Sequence, residues 1–186
     1  MKTTAVLAAA LASASSAFAQ TEQYYNLVAS APGSPIDGQV LKPLDRHWHI
    51  GIEASSSCGD VTPAVTVINE ALAVYNDGRS DQQYAYVDIS GAADGLLALT
   101  PAGTPGGAPV GPFALIGAEQ DQIYLYYNGA EAADSKWLAC PDFSEQGNYW
   151  VYPEQAYGKS VGKESCTVFQ VNAKAIAKPT ESCTFY

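Results

Sequence analysis

Three of the chain's four cysteines lie between Trp137 and Tyr186, each at the end of a segment with strand character. The segments read Trp137-Leu138-Ala139-Cys140-Pro141, Asn148-Tyr149-Trp150-Val151-Tyr152, Cys166-Thr167-Val168-Phe169-Gln170-Val171 and Glu181-Ser182-Cys183-Thr184-Phe185-Tyr186. Aromatic and β-branched residues fit a pleated, half-buried surface. Bridging such segments restricts the chain to folds that bring their ends together. The expectation is a small antiparallel meander, cross-linked to itself and to Cys58 upstream.

Such bridges need an oxidising compartment, and the N-terminus reads as the signal that leads there. Lys2 supplies the positive start, Ala5 to Ala12 an apolar run, and Ala17-Phe18-Ala19 a cleavage site before Gln20. The run is shorter than the ~20 residues that span a bilayer. Ser182 to Tyr186 lack the hydrophobic tail of a GPI signal. Residues 1–19 are therefore read as a signal peptide and residues 20–186 as a single secreted domain. Four cysteines then make two disulfides. In an up-down-up meander of 136–140, 148–153 and 166–173, Cys140 ends at the top and Cys166 begins at the bottom. A bridge needs Cα atoms within about 7 Å, which disfavours that pair. The returning tail favours Cys140–Cys183 and leaves Cys58–Cys166.

Nine Lys and Arg against nineteen Asp and Glu give a net charge of −10, one unit more negative once Lys2 leaves with the leader. That balance argues against nucleic acid or an anionic membrane as partner. No Asn-x-Ser/Thr sequon occurs, so no N-glycosylation is expected. The domain is expected to be a monomer.

Strand candidates recur along the chain, punctuated by turns. Tyr24 to Ala29 ends at Pro32-Gly33-Ser34-Pro35; Gly38 to Leu41 and His47 to Ile52 follow. Ala64 to Ile68 and Ala71 to Tyr75 flank Asn69-Glu70 as a hairpin. A helix over 63–75 is the alternative there, disfavoured by Val65, Thr66, Val67 and Ile68. Gln83 to Ile89, Leu96 to Leu99, Phe113 to Ile116 and Gln122 to Tyr127 complete the series, with 101–112 a Pro/Gly loop. The fold class is all-β: one compact antiparallel barrel or sandwich of ten to twelve short strands. Faint echoes (Leu41…Ile50, Leu97…Phe113, Leu138…Trp150) also suit a threefold, β-trefoil-like plan.

Catalytic patterns are sparse. His47 and His49 share a strand face opposite Trp48, Ile50 and Ile52, but a metal site needs further ligands. The expected mature N-terminus, Gln20, is no histidine, so an N-terminal copper brace is not expected. Glu53, Asp60, Glu70, Asp88 and Asp94 could supply a glycosidase pair, yet no spacing singles out two of them. No Gly-x-Ser-x-Gly occurs and both cysteine pairs are committed. The chain is read as non-enzymatic, with no metal and no cofactor. Aromatic pairs are the stronger signal. Tyr84 with Tyr86, and Tyr124 with Tyr126, each share a strand face and form a candidate ligand surface for sugar rings. Cross-strand packing competes for the same residues. Trp150 is assigned to the core.

Tyr86-Val87-Asp88-Ile89-Ser90-Gly91, Trp137 to Pro141, Trp150, Cys166-Thr167-Val168-Phe169 and Ser182-Cys183-Thr184-Phe185-Tyr186 together resemble the fungal cell wall protein PhiA family. The likeness runs over about residues 50 to 186 in order and cysteine placement. It implies a secreted or wall-associated, non-catalytic protein, involved in wall structure or in phialide and conidium development. Some such proteins are IgE-binding allergens. The resemblance brings no catalytic residues and no cofactor. Cell wall polysaccharide is the expected partner. The alternatives are a lectin-like carbohydrate-binding module, a secreted effector or inhibitor with a protein partner, and a secreted hydrolase.

Overall fold

Alternation along each strand sets which side chains face inward. In the computed structural model, residues 22–104, 111–117, 122–128, 136–158 and 162–186 are described. The leader expected at 1–19 and residues 105–110 of the Pro/Gly loop lie outside them. The longest strand shows the rule: Phe169, Val171 and Ala173 are buried, while Val168 and Lys174 on the other face are exposed.

Among the described residues twelve strands form: β1 (Tyr24–Ser30), β2 (Leu41–Leu44), β3 (His47–Ile50), β4 (Val65–Ile68), β5 (Ala71–Val74), β6 (Ala85–Asp88), β7 (Leu96–Leu99), β8 (Phe113–Gly117), β9 (Ile123–Tyr127), β10 (Trp137–Pro141), β11 (Tyr149–Pro153) and β12 (Thr167–Ile176). The segment 63–75 is a hairpin, not a helix, and its turn residues Asn69 (φ 49°) and Glu70 (φ 64°) are both left-handed. Asp45 (φ 49°) and Arg46 (φ 63°) repeat that geometry between β2 and β3. Two consecutive left-handed residues match the right-handed twist of the flanking strands, which offsets their local cost.

All the pairings are antiparallel and join the strands into one large sheet. Their order has a threefold plan. β1, β4, β5, β8, β9 and β12 run round a ring through the pairs β1–β4, β4–β5, β8–β9, β9–β12 and β12–β1. β5 and β8 lie side by side, and the Phe113 N–H donates to Glu70 O at 2.8 Å. No ladder joins those two strands, so the ring is not closed and "barrel" describes it only loosely. Between successive ring strands the chain throws out the hairpins β2–β3, β6–β7 and β10–β11, which meet one another through β11–β3 and β3–β7. This is the pairing plan of a β-trefoil.

The core fills the space enclosed by ring and hairpins. Trp48, Trp137, Phe113, Leu27, Ile50 and Leu97 are each almost wholly buried. Trp137 keeps its indole N–H satisfied by donating to Leu125 O at 3.1 Å. Trp150 lies half-buried on the face of β11 opposite the inward Val151, where it packs against a second, smaller buried cluster of Leu96, Leu138, Cys140 and Tyr152 rather than in the main core.

The C-terminal meander is also corrected. β10 lies between β11 and β12, so the third segment pairs with the first and not with the second. Antiparallel register sets Trp137 against Phe169 and Ala139 against Thr167. The next positions along are Cys140 and Cys166, which are bonded with Cα atoms 4.1 Å apart. The second bridge is Cys58–Cys183, Cα atoms 5.6 Å apart. The expected pairs Cys140–Cys183 and Cys58–Cys166 are thus overturned by strand order. The tail that carries Cys183 forms a strap. Ser56 and Phe185 make a β-bridge, and the buried Gln83 amide both donates to Phe185 O and accepts from its N–H, each at 2.8 Å. Phe185 is thereby driven into the core, a burial worth roughly 1.5–3 kcal/mol.

Candidate ligand-binding face

Tyr86 on the outer face of β6 and Tyr84, which immediately precedes the strand, are both half-buried, while Ala85 and Val87 point into the core. Register extends this pair into a row. Tyr86 stands opposite Ala98 on β7, Ala98 opposite His47 on β3, and His49 on β3 opposite Trp150 on β11. The Trp150 ring packs edge-on to His47 with centroids 5.5 Å apart, and tilted against His49 at 4.2 Å. Trp150 therefore serves as a lid on two imidazoles.

His49 is only 2% exposed, so the strand face it shares with His47 is largely covered. Its Nδ1 lies 2.8 Å from Asn148 Oδ1. The Asn148 amide is oriented by Asp142 and Glu145, each accepting from its Nδ2 at 3.4 Å. With the amide oxygen facing the ring, Nδ1 is the protonated nitrogen of a neutral imidazole. Burial lowers the His49 pKa, and the bond to Asn148 only partly opposes it. Burial, then the Arg46 charge, likewise lowers the pKa of His47, whose Nδ1 is buried without a hydrogen-bond partner among the described residues.

At the other end of the row, an isolated bridge sets Tyr84 against Ala73 of β5. Ala73 lines a cleft of about 420 Å³ on the outer face of β4 and β5. Two tyrosines wall it: Tyr24 and Tyr75 meet edge to face, centroids 5.0 Å apart. The Tyr24 hydroxyl donates to Glu22 Oε2 at 2.7 Å, and that of Tyr75 to Asp77 Oδ1 at 3.0 Å. Burial, then the Glu22 bond, pushes the Tyr24 pKa up to about 12; burial, then Asp77, raises that of Tyr75. Both phenols stay protonated and each holds a carboxylate in place. Lys178 Nζ lies 5.8 Å from the centre of the Tyr75 ring and 3.9 Å from Asp77 Oδ1.

The second tyrosine pair does not join this face. β9 hydrogen-bonds only to β8 and β12 among the described strands. Tyr124 is half-buried and donates to Gln122, but Tyr126 is fully buried and is not available to a ligand. Alternation correctly puts Tyr124 and Tyr126 on the face opposite Leu125; it does not tell that one of them is covered. The sequence also offers no sign that Tyr24, Tyr75 and Lys178 converge, because they come from distant segments.

The carboxylates considered for a glycosidase are scattered: Asp88 ends β6, and the others lie on turns and loops. Asp60 accepts from Lys42 Nζ at 2.7 Å and from the Ala54 N–H at 2.8 Å, and these bonds hold it below the usual carboxylate range. Ser90 does the same to Asp88. A general acid needs the opposite shift. Glu53 and Glu70 are exposed, Glu70 at the tip of the β4–β5 turn, and Asp94 sits in the β6–β7 turn. Cys58, Glu181 and Cys183 are the one metal-type trio within mutual reach among the described residues, and their two sulfurs are spent in a disulfide.

The cell wall protein phiA of Aspergillus fumigatus is 24% identical over 184 residues, covering 97% of this chain and 95% of the relative. The same protein from another strain of that species aligns equally. No solved structure matches the chain. The family model for PhiA-like secreted proteins matches residues 25–186, which takes in every strand described here except the first residue of β1. The chain belongs to the PhiA-like secreted protein family.

Proposed function

We propose that this secreted protein is a non-catalytic component of the fungal cell wall, acting in wall structure or in phialide development, and that its outer aromatic row holds wall polysaccharide. The observation that carries the reading is the row itself: Tyr84, Tyr86 and Trp150, half-buried on strands of a disulfide-stapled scaffold. Rings on rigid strands offer flat apolar area with polar edges at low entropic cost, which is what stacking on a sugar requires. The name of the A. fumigatus relatives supports the wall as location.

The test is retention of the mature protein on insoluble chitin, β-glucan and intact fungal walls, with elution by soluble oligosaccharides. The double variant Tyr86→Ala/Trp150→Ala is expected to fold and to lose most of its retention. Wild-type retention by that folded variant would remove the row from the reading. A lectin-like module would show instead as saturable binding released by one sugar alone.

A further inference from the structure

We propose that the Tyr24–Tyr75 cleft is a subsite for a cationic amino sugar, a polyhydroxylated ring bearing a free primary ammonium. Lys178 occupies the position that ammonium would take. The proposal rests on the polysaccharide reading above and names the chemistry of the sugar.

Size, acceptors and charge all point the same way. The cleft, of about 420 Å³, falls within the range of small-molecule sites. Its walls present hydrogen-bond acceptors of one sign: Glu22 and Asp77 each commit one oxygen to a tyrosine hydroxyl and leave the other for a ligand. Phosphate and carboxylate ligands are repelled by the same pair. A neutral sugar would satisfy the acceptors but leave Glu22 with no cation among the described residues and Asp77 with only the exposed Lys178. An ammonium satisfies both, and the aromatic wall adds a cation–π attraction.

The chain's own cation already marks that position. Lys178 Nζ lies over the Tyr75 ring and beside Asp77, yet its side chain is 62% exposed, so a ligand can displace it at little cost. The phenols, which stay protonated, keep the carboxylates oriented whether the cleft is filled or not. The net charge of −10 raises the local concentration of cationic chains around the molecule. Tyr84, opposite Ala73 at the cleft edge, connects the subsite to the row along which neighbouring sugar units would run.

The experiment is a calorimetric titration of the mature protein with a soluble glucosamine oligomer and, separately, with the N-acetylated oligomer of equal length. The glucosamine oligomer is expected to bind at least tenfold more tightly. Glu22→Gln/Asp77→Asn should abolish that difference, and Lys178→Ala, an exposed position that does not threaten folding, should strengthen binding severalfold. Glu53→Gln/Glu164→Gln removes the same charge from exposed positions outside the cleft and should leave affinity unchanged. Equal affinity for the two oligomers would overturn the proposal. So would an equal loss in the Glu53/Glu164 variant, which would assign the effect to diffuse charge, or weaker binding by Lys178→Ala. Tyr86→Ala/Trp150→Ala separates the two readings. Unselective binding by a protein whose wall retention still depends on that row would sink the subsite alone. Selective binding with row-independent retention would sink the row alone.

Discussion

At the residue scale, what decides a side chain's role is what covers it. Tyr86 and Tyr126 have the same chemistry and sit on the outward face of their strands, but Tyr126 is fully buried and Tyr86 is not. Truncating Tyr126 to Ala should therefore cost ~3–5 kcal/mol, as for a large buried aromatic side chain. Tyr86→Ala should cost well under half of that. Equilibrium urea unfolding of the two variants, with wild type alongside, measures the difference. His49 makes a pH-dependent contribution whose sign is set by burial. Its folded pKa lies below the unfolded value of about 6.5, so the unfolded chain binds the extra proton first. The stabilisation is complete above that unfolded pKa and is lost as pH falls towards the folded one. The urea midpoint should decline from pH 7 to pH 5, and more steeply in wild type than in His49→Gln. Equal slopes would place the acid sensitivity elsewhere. Alternation made the facing of these residues legible from the sequence, since a period of two is local. Cover was not legible, because it comes from segments remote in the chain.

At the element scale, the two disulfides fasten different things. Cys140–Cys166 joins neighbouring strands across a sequence separation of 26, whereas Cys58–Cys183 ties the C-terminal strap across a separation of 125. In the chain-entropy model these closures stabilise by about 3.5 and about 5 kcal/mol. The second also keeps Phe185 in the core, where Gln83 holds it from both sides. Cys58→Ser/Cys183→Ser is therefore expected to lower the guanidinium midpoint more than Cys140→Ser/Cys166→Ser. It should also unprotect the Phe185 amide in hydrogen exchange, which the other pair should leave slow. The hairpin at 65–74 was readable from its β-branched run and its Asn-Glu turn. The place of β12 was not: its own sequence suits pairing with β10 or β11 equally well. Only the return of the chain to the β10 side sets Cys166 against Cys140.

At the scale of the whole molecule, threefold pairing packs ring and hairpins around one core, while the surface carries a strong negative charge. With a sequence isoelectric point near 4.4, repulsion between copies vanishes at that pH. Light scattering should show a solubility minimum around pH 4.4 that added salt moderates and that neutral pH removes. A minimum near neutrality would contradict the charge argument. By itself the sequence determined the strand content, the acidic surface, the cysteine chemistry and the kinship with PhiA-like proteins. Each of these is a sum over residues or a short local pattern, and survives any rearrangement of the strands. The tertiary structure alone decided which cysteines pair, that Trp150 covers two histidines, that Tyr126 is buried, and that Tyr24, Tyr75 and Lys178 share a cleft. Those depend on strand order and on which distant segment lies over which face, and strand order is set by packing the complete core at once.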